Sequence, residues 1–261
     1  MPKRTTIRDI QAKANDGQKL SMVTAYDAFS AKLIEQAGID IALVGDSVGT
    51  TLQGRPDTLG VEIEHMLYHT EIVARSTERI LVIGDMPFGS YQVNEDEAVR
   101  NAVAFMKAGA HAVKLEGGAS VMPLIERMSD AGIPVMGHLG FTPQSVNITS
   151  GPRVNKARDE LMEDAESLAD AGVFAIVLEM VPAKIAQEIT SAIGVPTIGI
   201  GAGAHTNGQV LVFHDMLGFD PDFNPKFLKR FMDFHGQALD ALKKYKEEVE
   251  NGQFPNESQS Y

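Results

Sequence analysis

The 261-residue chain contains no cysteine, which excludes disulfides, thiolate catalysis and cysteine-based zinc sites. No apolar run approaches the roughly 20 residues needed to cross a bilayer. The opening MPKRTTIRDIQAK lacks the apolar core of a secretory signal. Positive charge is scarce: 23 Lys and Arg against 35 Asp and Glu leave a net charge of -12, with no basic stripe. That balance disfavours nucleic acid and acidic membrane surfaces as partners, because phosphates need clustered cations. After the first strand-like segment stands Thr24-Ala25-Tyr26-Asp27 rather than a glycine-rich dinucleotide turn. His65 and His69 are four apart but sit in no HExxH pattern, so they read as a solvated helix face. A cytoplasmic enzyme acting on small molecules is the expectation left standing.

What is present is alternation. Apolar strand-like runs are predicted at Leu20–Ala25, Ile41–Val44, Ile80–Ile83, Ala112–Leu115, Pro134–His138, Phe174–Leu178, Pro196–Ile200 and Val210–Phe213. Segments of helical periodicity separate most of them. A long final helix is predicted over Phe227–Val249. An Ala-Gly pair recurs before strands at Ala37-Gly38, Ala108-Gly109, Ala131-Gly132 and Ala171-Gly172, where each glycine suits the left-handed residue just past a helix end. Such alternation predicts a parallel sheet, and eight strands in a chain of this length predict a single (β/α)8 barrel. The expected organisation is one barrel domain over residues 1–251 and a polar, fraying tail over 252–261. Two stretches exceed ordinary βα connections, residues 46–60 and 140–158, and loops of that length are usually functional or disordered.

Six ionisable residues stand where the strand-like runs end: Asp46, Asp85, Lys114, Glu116, His138 and Glu179. Repeated at successive strands, they predict one site at the C-terminal rim of the barrel. Asp46, Asp85 and Glu116 offer the oxygen ligands that Mg2+ prefers, although each alone also reads as a helix cap or surface acid. Lys114 and Glu116 are two apart and so face one side of a strand. They are either a substrate-facing cation and its acid or a structural ion pair. Glu179 ends the most apolar strand and is either a general base in low-dielectric surroundings or a buried acid with a cationic partner. His138 is either a packing histidine or a substrate contact. Gly199-Ile200-Gly201-Ala202-Gly203 has the look of a phosphate-gripping turn after strand seven, or of glycines that permit close packing.

Five segments carry a resemblance: Met22 to Asp27, Val44 to Gly49, Val113 to Gly118, Gly137 to Gln144 (GHLGFTPQ) and Ile198 to Gly203. In this order they resemble the ketopantoate hydroxymethyltransferases, and the HLGxTPQ segment is highly specific. The resemblance, over about residues 20–218, implies a barrel of the phosphoenolpyruvate/pyruvate superfamily. It implies Mg2+ as cofactor and transfer of a one-carbon unit from 5,10-methylenetetrahydrofolate to 3-methyl-2-oxobutanoate. Carried over by motif, Asp46, Asp85 and Glu116 match the metal acids. Asp46, Ser47, Asp85 and Lys114 match the oxo-acid contacts, His138 a substrate-side histidine and Glu179 the proton acceptor. The resemblance also implies a large homo-oligomer, a decamer. One departure stands out: where the family carries a glycine-rich stretch after strand five, this chain has residues 149–158, TSGPRVNKAR, in a shorter loop. The competing readings are a Mg2+-dependent 2-oxo-acid lyase or mutase, and an oxo-acid-binding protein without turnover.

Overall fold

The β-branched and leucine-rich runs become strands whose side chains are almost entirely removed from water. Ile41, Ala42, Val44, Val82, Ile83, Ala112, Val113, Val135, Ala175, Ile176 and Leu178 are all fully buried, and each large aliphatic among them contributes ~1.5–3 kcal/mol by burial. A computed structural model describes residues 4–151 and 153–261. Pro152, within the loop that departs from the family pattern, lies outside the described residues.

The strands are β1 (Leu20–Thr24), β2 (Ile41–Val44), β3 (Leu81–Asp85), β4 (Ala112–Lys114), β5 (Val135–Gly140), β6 (Ala175–Glu179), β7 (Thr197–Ile200) and β8 (Gly208–Leu211). They close into one barrel in sequence order, every neighbouring pair parallel, with β8 returning to β1. The expected (β/α)8 barrel is therefore the observed fold. The helices are α1 (Ile7–Asn15), α2 (Ala28–Gln36), α3 (Val48–Thr51), α4 (Ile63–Arg75), α5 (Glu95–Lys107), α6 (Met122–Asp130), α7 (Val146–Thr149), α8 (Arg158–Asp170), α9 (Ala183–Ala192), α10 (Phe213–Leu217) and α11 (Phe234–Glu250). The two long loops are structured: α3 lies within residues 46–60, and a 3-10 turn (Pro143–Ser145) followed by α7 lies within 140–158. The four glycines of the Ala-Gly pairs all take positive φ, between 74° and 103°, ending their helices as the sequence pattern implies.

The chain divides into two units, residues 4–212 with all eight strands, and 213–261. Within the second, Phe219 stacks on Phe234 with centroids 3.8 Å apart. Arg230 Nη2 donates to the carbonyls of Asp220, Pro221 and Phe223. The final helix starts at Phe234 rather than the expected Phe227, because Asp233 caps it by accepting from the Gly236 N–H, while the Phe231 N–H is taken by the Met216 carbonyl. Among the described residues no helix joins β7 to β8, so the Gly199–Gly203 turn lacks the helix N-terminus a phosphate grip relies on. Instead Gly203 packs closely enough on α9 that a Cβ would stand 2.5 Å from that of Ala183.

Candidate active site

In a parallel barrel every strand ends at the same rim, so residues at successive strand ends meet. Asp85, Lys114 and Glu179 are the last residues of β3, β4 and β6, and His138 lies in β5. Asp46 follows β2 by two residues, and Glu116 follows β4 by two. The registers fix their relative heights: Asp85 opposite Lys114, and Gly140 opposite Glu179. The β5–β6 approach requires glycine at 140. Its φ is 101°, and a Cβ there would stand 2.1 Å from the Glu179 carbonyl oxygen, which accepts the Phe141 N–H at 2.8 Å. Met180, next to Glu179, sits at φ 51°, a left-handed conformation that costs a non-glycine residue ~1–2 kcal/mol. Its N–H bond to the Ile200 carbonyl, 2.8 Å, holds it there.

The side chains form one continuous chain of contacts. Lys114 Nζ donates to both oxygens of Asp85, at 2.7 and 2.8 Å. Asp85 Oδ2 also accepts the Asp46 N–H, at 3.3 Å. Gln144 Nε2 donates to Asp46 Oδ2 at 3.1 Å, and the Gln144 N–H to Glu116 Oε2 at 3.0 Å. His138 stands between two acids, Nδ1 3.2 Å from Glu116 Oε1 and Nε2 3.2 Å from Glu179 Oε2. Those last two contacts miss hydrogen-bond alignment, so Glu116 Oε1 and both ring nitrogens are buried with no aligned protein partner among the described residues. Ser47 is held beside Asp46 by a 2.7 Å bond to the Tyr26 hydroxyl. The six strand-end residues foreseen from sequence are thus assembled, with Ser47 at their edge. Glu179 differs from the expectation in one respect: 18% of its side chain remains exposed, so it lies at the mouth rather than deep in a low-dielectric interior.

Burial sets the electrostatics. Asp46, Asp85, Lys114, Glu116 and His138 are each at most 6% exposed. Desolvation, then repulsion from Asp85 and Glu116, pushes Asp46 up to about 8, with Lys114 opposing. Desolvation also raises Asp85, against the pull of Lys114. Burial works to lower Lys114, but Asp85, Glu116 and Asp46 together overcome it and raise it. Burial and Lys114 likewise work against a charged His138, yet Glu116 and Glu179 lift it to about 9. Burial would raise Glu116, but His138, Lys114 and the Gln144 N–H outweigh it and hold it low. Lys114 and His138 are therefore cations at neutral pH. The acids outnumber the cations four to two, and Asp46 ionises fully at neutral pH only if a further cation relieves the burial and the repulsion from Asp85 and Glu116.

That excess, the all-oxygen donor set and the orphaned Glu116 oxygen suit one hard divalent cation. The expected three-carboxylate cage is not preassembled: among the described residues no three acid or histidine side chains gather into a metal-holding group. Asp46, Asp85 and Glu116 follow one another along the contact chain, each already held through at least one oxygen by Gln144, Lys114 or the Asp46 N–H. Beside the cluster opens a cleft of about 370 Å³, walled by Glu116 and Gln144 together with Phe88, Tyr91, Thr142, Asn147 and Ile148. Gln144 and Tyr91 were not singled out from sequence as site residues. The available signal was the glutamine that closes GHLGFTPQ, placed just past the rim histidine. His69, read as solvated, in fact pairs through Nδ1 with the Tyr26 carbonyl at 2.6 Å.

A closed parallel barrel with a buried acid–lysine–histidine cluster at its C-terminal rim belongs to the class of barrel enzymes that assemble their chemistry at strand ends. Solved structures of similar fold include phosphonopyruvate hydrolase in complex with oxalate and Mg++ (14% identity, 95% of this chain and 88% of that one, TM-score 0.64). Another is 2,3-dimethylmalate lyase, a PEP mutase/isocitrate lyase superfamily member (15% identity, 99% of this chain and 93% of that one, TM-score 0.63). Residues 4–257 match the model of the ketopantoate hydroxymethyltransferase family, and the chain belongs to that family. Among its relatives is the 3-methyl-2-oxobutanoate hydroxymethyltransferase of Ignicoccus hospitalis, 52% identical over 98% of each chain. That of Kosmotoga olearia is 54% identical over 91% of each. The protein is an enzyme of the hydroxymethyltransferase class.

Proposed function

We propose that the enzyme transfers the one-carbon unit of 5,10-methylenetetrahydrofolate to 3-methyl-2-oxobutanoate, with water supplying the hydroxyl oxygen, giving 2-dehydropantoate and tetrahydrofolate, the first step of pantothenate synthesis. The observation that carries this reading is the unbroken run of contacts from Lys114 to Glu179, which sets a cation, paired carboxylates and a rim acid around one point. Asp46 and Asp85, backed by Glu116, are the residues that would hold Mg2+. Bound there, the ion supplies Lewis-acid stabilisation of charge on the 2-oxo-acid oxygens. Lys114 adds a fixed ammonium to the same charge, already oriented by Asp85 and in place before the substrate arrives. The Ser47 hydroxyl, fixed by Tyr26, contacts the oxo acid. Glu179 removes the C3 proton. Its partial exposure gives it access to substrate, and His138 at 3.2 Å holds its carboxylate in place. The adjacent cleft, with apolar Phe88 and Ile148 and polar Gln92, Thr142 and Asn147, suits a flat heteroaromatic donor with hydrogen-bonding edges.

The enzyme works in the cytoplasm as a homo-oligomer, a decamer by family resemblance; sedimentation measures the latter. No helix among the described residues is long and apolar enough to cross a membrane. The reaction is tested by following 3-methyl-2-oxobutanoate consumption with and without methylenetetrahydrofolate, and with Mg2+ or EDTA. Turnover that needs both folate and Mg2+ supports the proposal. Consumption without folate counts against it and favours a lyase.

A further inference from the structure

Gln144 makes more contacts with the acid cluster than any catalytic chemistry asks of it. It is 5% exposed, and its amide oxygen, amide nitrogen and backbone N–H all have partners. Nε2 donates to Asp46 Oδ2 at 3.1 Å and to the Met86 carbonyl at 2.9 Å. Both partners only accept, which fixes the orientation of the amide. Oε1 accepts from the Tyr91 hydroxyl at 2.8 Å and from Gln92 Nε2 at 3.0 Å. Its backbone N–H reaches Glu116 Oε2 at 3.0 Å. Tyr91 completes the loop, because its hydroxyl accepts the Glu116 N–H at 3.0 Å. A single residue in the segment after β5 thus spans the acids that follow β2 and β4.

We propose that Gln144 is a positioning residue that sets the spacing and orientation of the Asp46 and Glu116 carboxylates. The amide is the side chain that fits. A carboxylate at this position would offer no donor to Asp46 and would face it with like charge, and asparagine is one methylene too short to reach from the same backbone. The role rests on the reading that Asp46 and Asp85, backed by Glu116, hold a divalent cation, since that is the function the Asp46–Glu116 spacing serves. Its consequence is a metal affinity that depends on a residue outside the ligand set.

The test compares the full-length enzyme with Gln144→Met, close in size but without donor or acceptor, and with Tyr91→Phe, which keeps Gln144 but removes one of its donors. Mn2+ binding is measured by electron paramagnetic resonance without oxo acid or folate, alongside far-UV circular dichroism. Q144M is expected to weaken Mn2+ binding about tenfold, the size expected for losing a hydrogen bond to a charged group. Y91F should weaken it about threefold. The Mg2+ concentration for half-maximal C3 proton exchange should rise in parallel, and added Mg2+ should restore exchange, a rescue that a folding defect would not give. Mn2+ affinity within twofold of wild type in a folded Q144M overturns the role. If Q144M does not fold, an unchanged Y91F overturns it and a weakened one supports it. Wild type that itself fails to bind Mn2+ overturns the cation reading and this role with it, whereas wild-type binding unaffected by either substitution overturns the role alone.

Discussion

Lys114→Met is the most informative perturbation of the cluster. The Nζ group makes two bonds to Asp85, at 2.7 and 2.8 Å, and the side chains of the pair are 5% and 2% exposed. Removing one partner of a buried pair leaves an uncompensated charge and costs ~3–5 kcal/mol. Here Asp46 and Glu116 also lose their nearest lysine, which places the effect at the upper end. For a chain of this size about 2–4 °C per kcal/mol gives a fall in Tm of about 6–20 °C. The loss should shrink on acidification, because protonating the stranded acids relieves both burial and repulsion. The double variant Lys114→Met, Asp85→Leu should recover most of the loss, since an apolar pair of similar volume carries no desolvation penalty. Matched calorimetric scans of wild type, both single variants and the double variant give the coupling directly. Turnover of K114M should fall about 10²–10³-fold, the size of losing one preorganised electrostatic contact. A K114M protein melting within about 2 °C of wild type at pH 8, below the smallest shift this arithmetic allows, refutes the buried-pair account.

The pH dependence of stability follows from the same cluster. His138 is raised from 6.5 to about 9, so its contribution is fully present below pH 6.5 and lost as pH rises through about 9, on the order of 3 kcal/mol. Asp46 is raised from 3.8 to about 8; its neutral form is favoured in the folded state, so that contribution also declines as pH rises between those values. Thermal scans in EDTA should therefore show Tm falling between pH 6.5 and 9, and a flat profile argues against both assignments. Gly140→Ala forces a Cβ to 2.1 Å from the Glu179 carbonyl at φ 101°. It should cost ~1–3 kcal/mol by overpacking and displace Glu179, so that turnover falls more than oxo-acid affinity, as read by kcat against the substrate Kd. Equal losses in both would point to a general disruption of the barrel.

The barrel was legible because each apolar run of four to six residues became a parallel strand, and β2, at Ile41–Val44, matched residue for residue. Differences lie at the ends, where backbone pairing rather than apolar content decides. β5 runs on through His138 to Gly140 because those residues pair with Val177 and Glu179. β3 extends to Asp85 through its pairing with Lys114. The strand-end acids, Lys114 and His138 were readable since they are ionisable groups in apolar company. Gln144 and Tyr91 were not, because an uncharged side chain in a long loop gives no such contrast, and its role exists only once the barrel brings the ends of β2, β4 and β5 to one rim. The start of α11 differs because the residues before Asp233 carry helical composition, while the Phe231 N–H is taken by the Met216 carbonyl.

Glu179→Gln tests the central claim that this rim cluster takes the C3 proton of a 2-oxo acid. The substitution keeps the size of the side chain and its place at the end of β6 while removing the base. 3-Methyl-2-oxobutanoate is incubated with enzyme and Mg2+ in deuterated water, and loss of the C3 proton signal is followed by NMR, with binding measured in parallel. The account predicts that E179Q still binds the oxo acid and that exchange is abolished. Exchange persisting at the wild-type rate would contradict it and move the base elsewhere in the site.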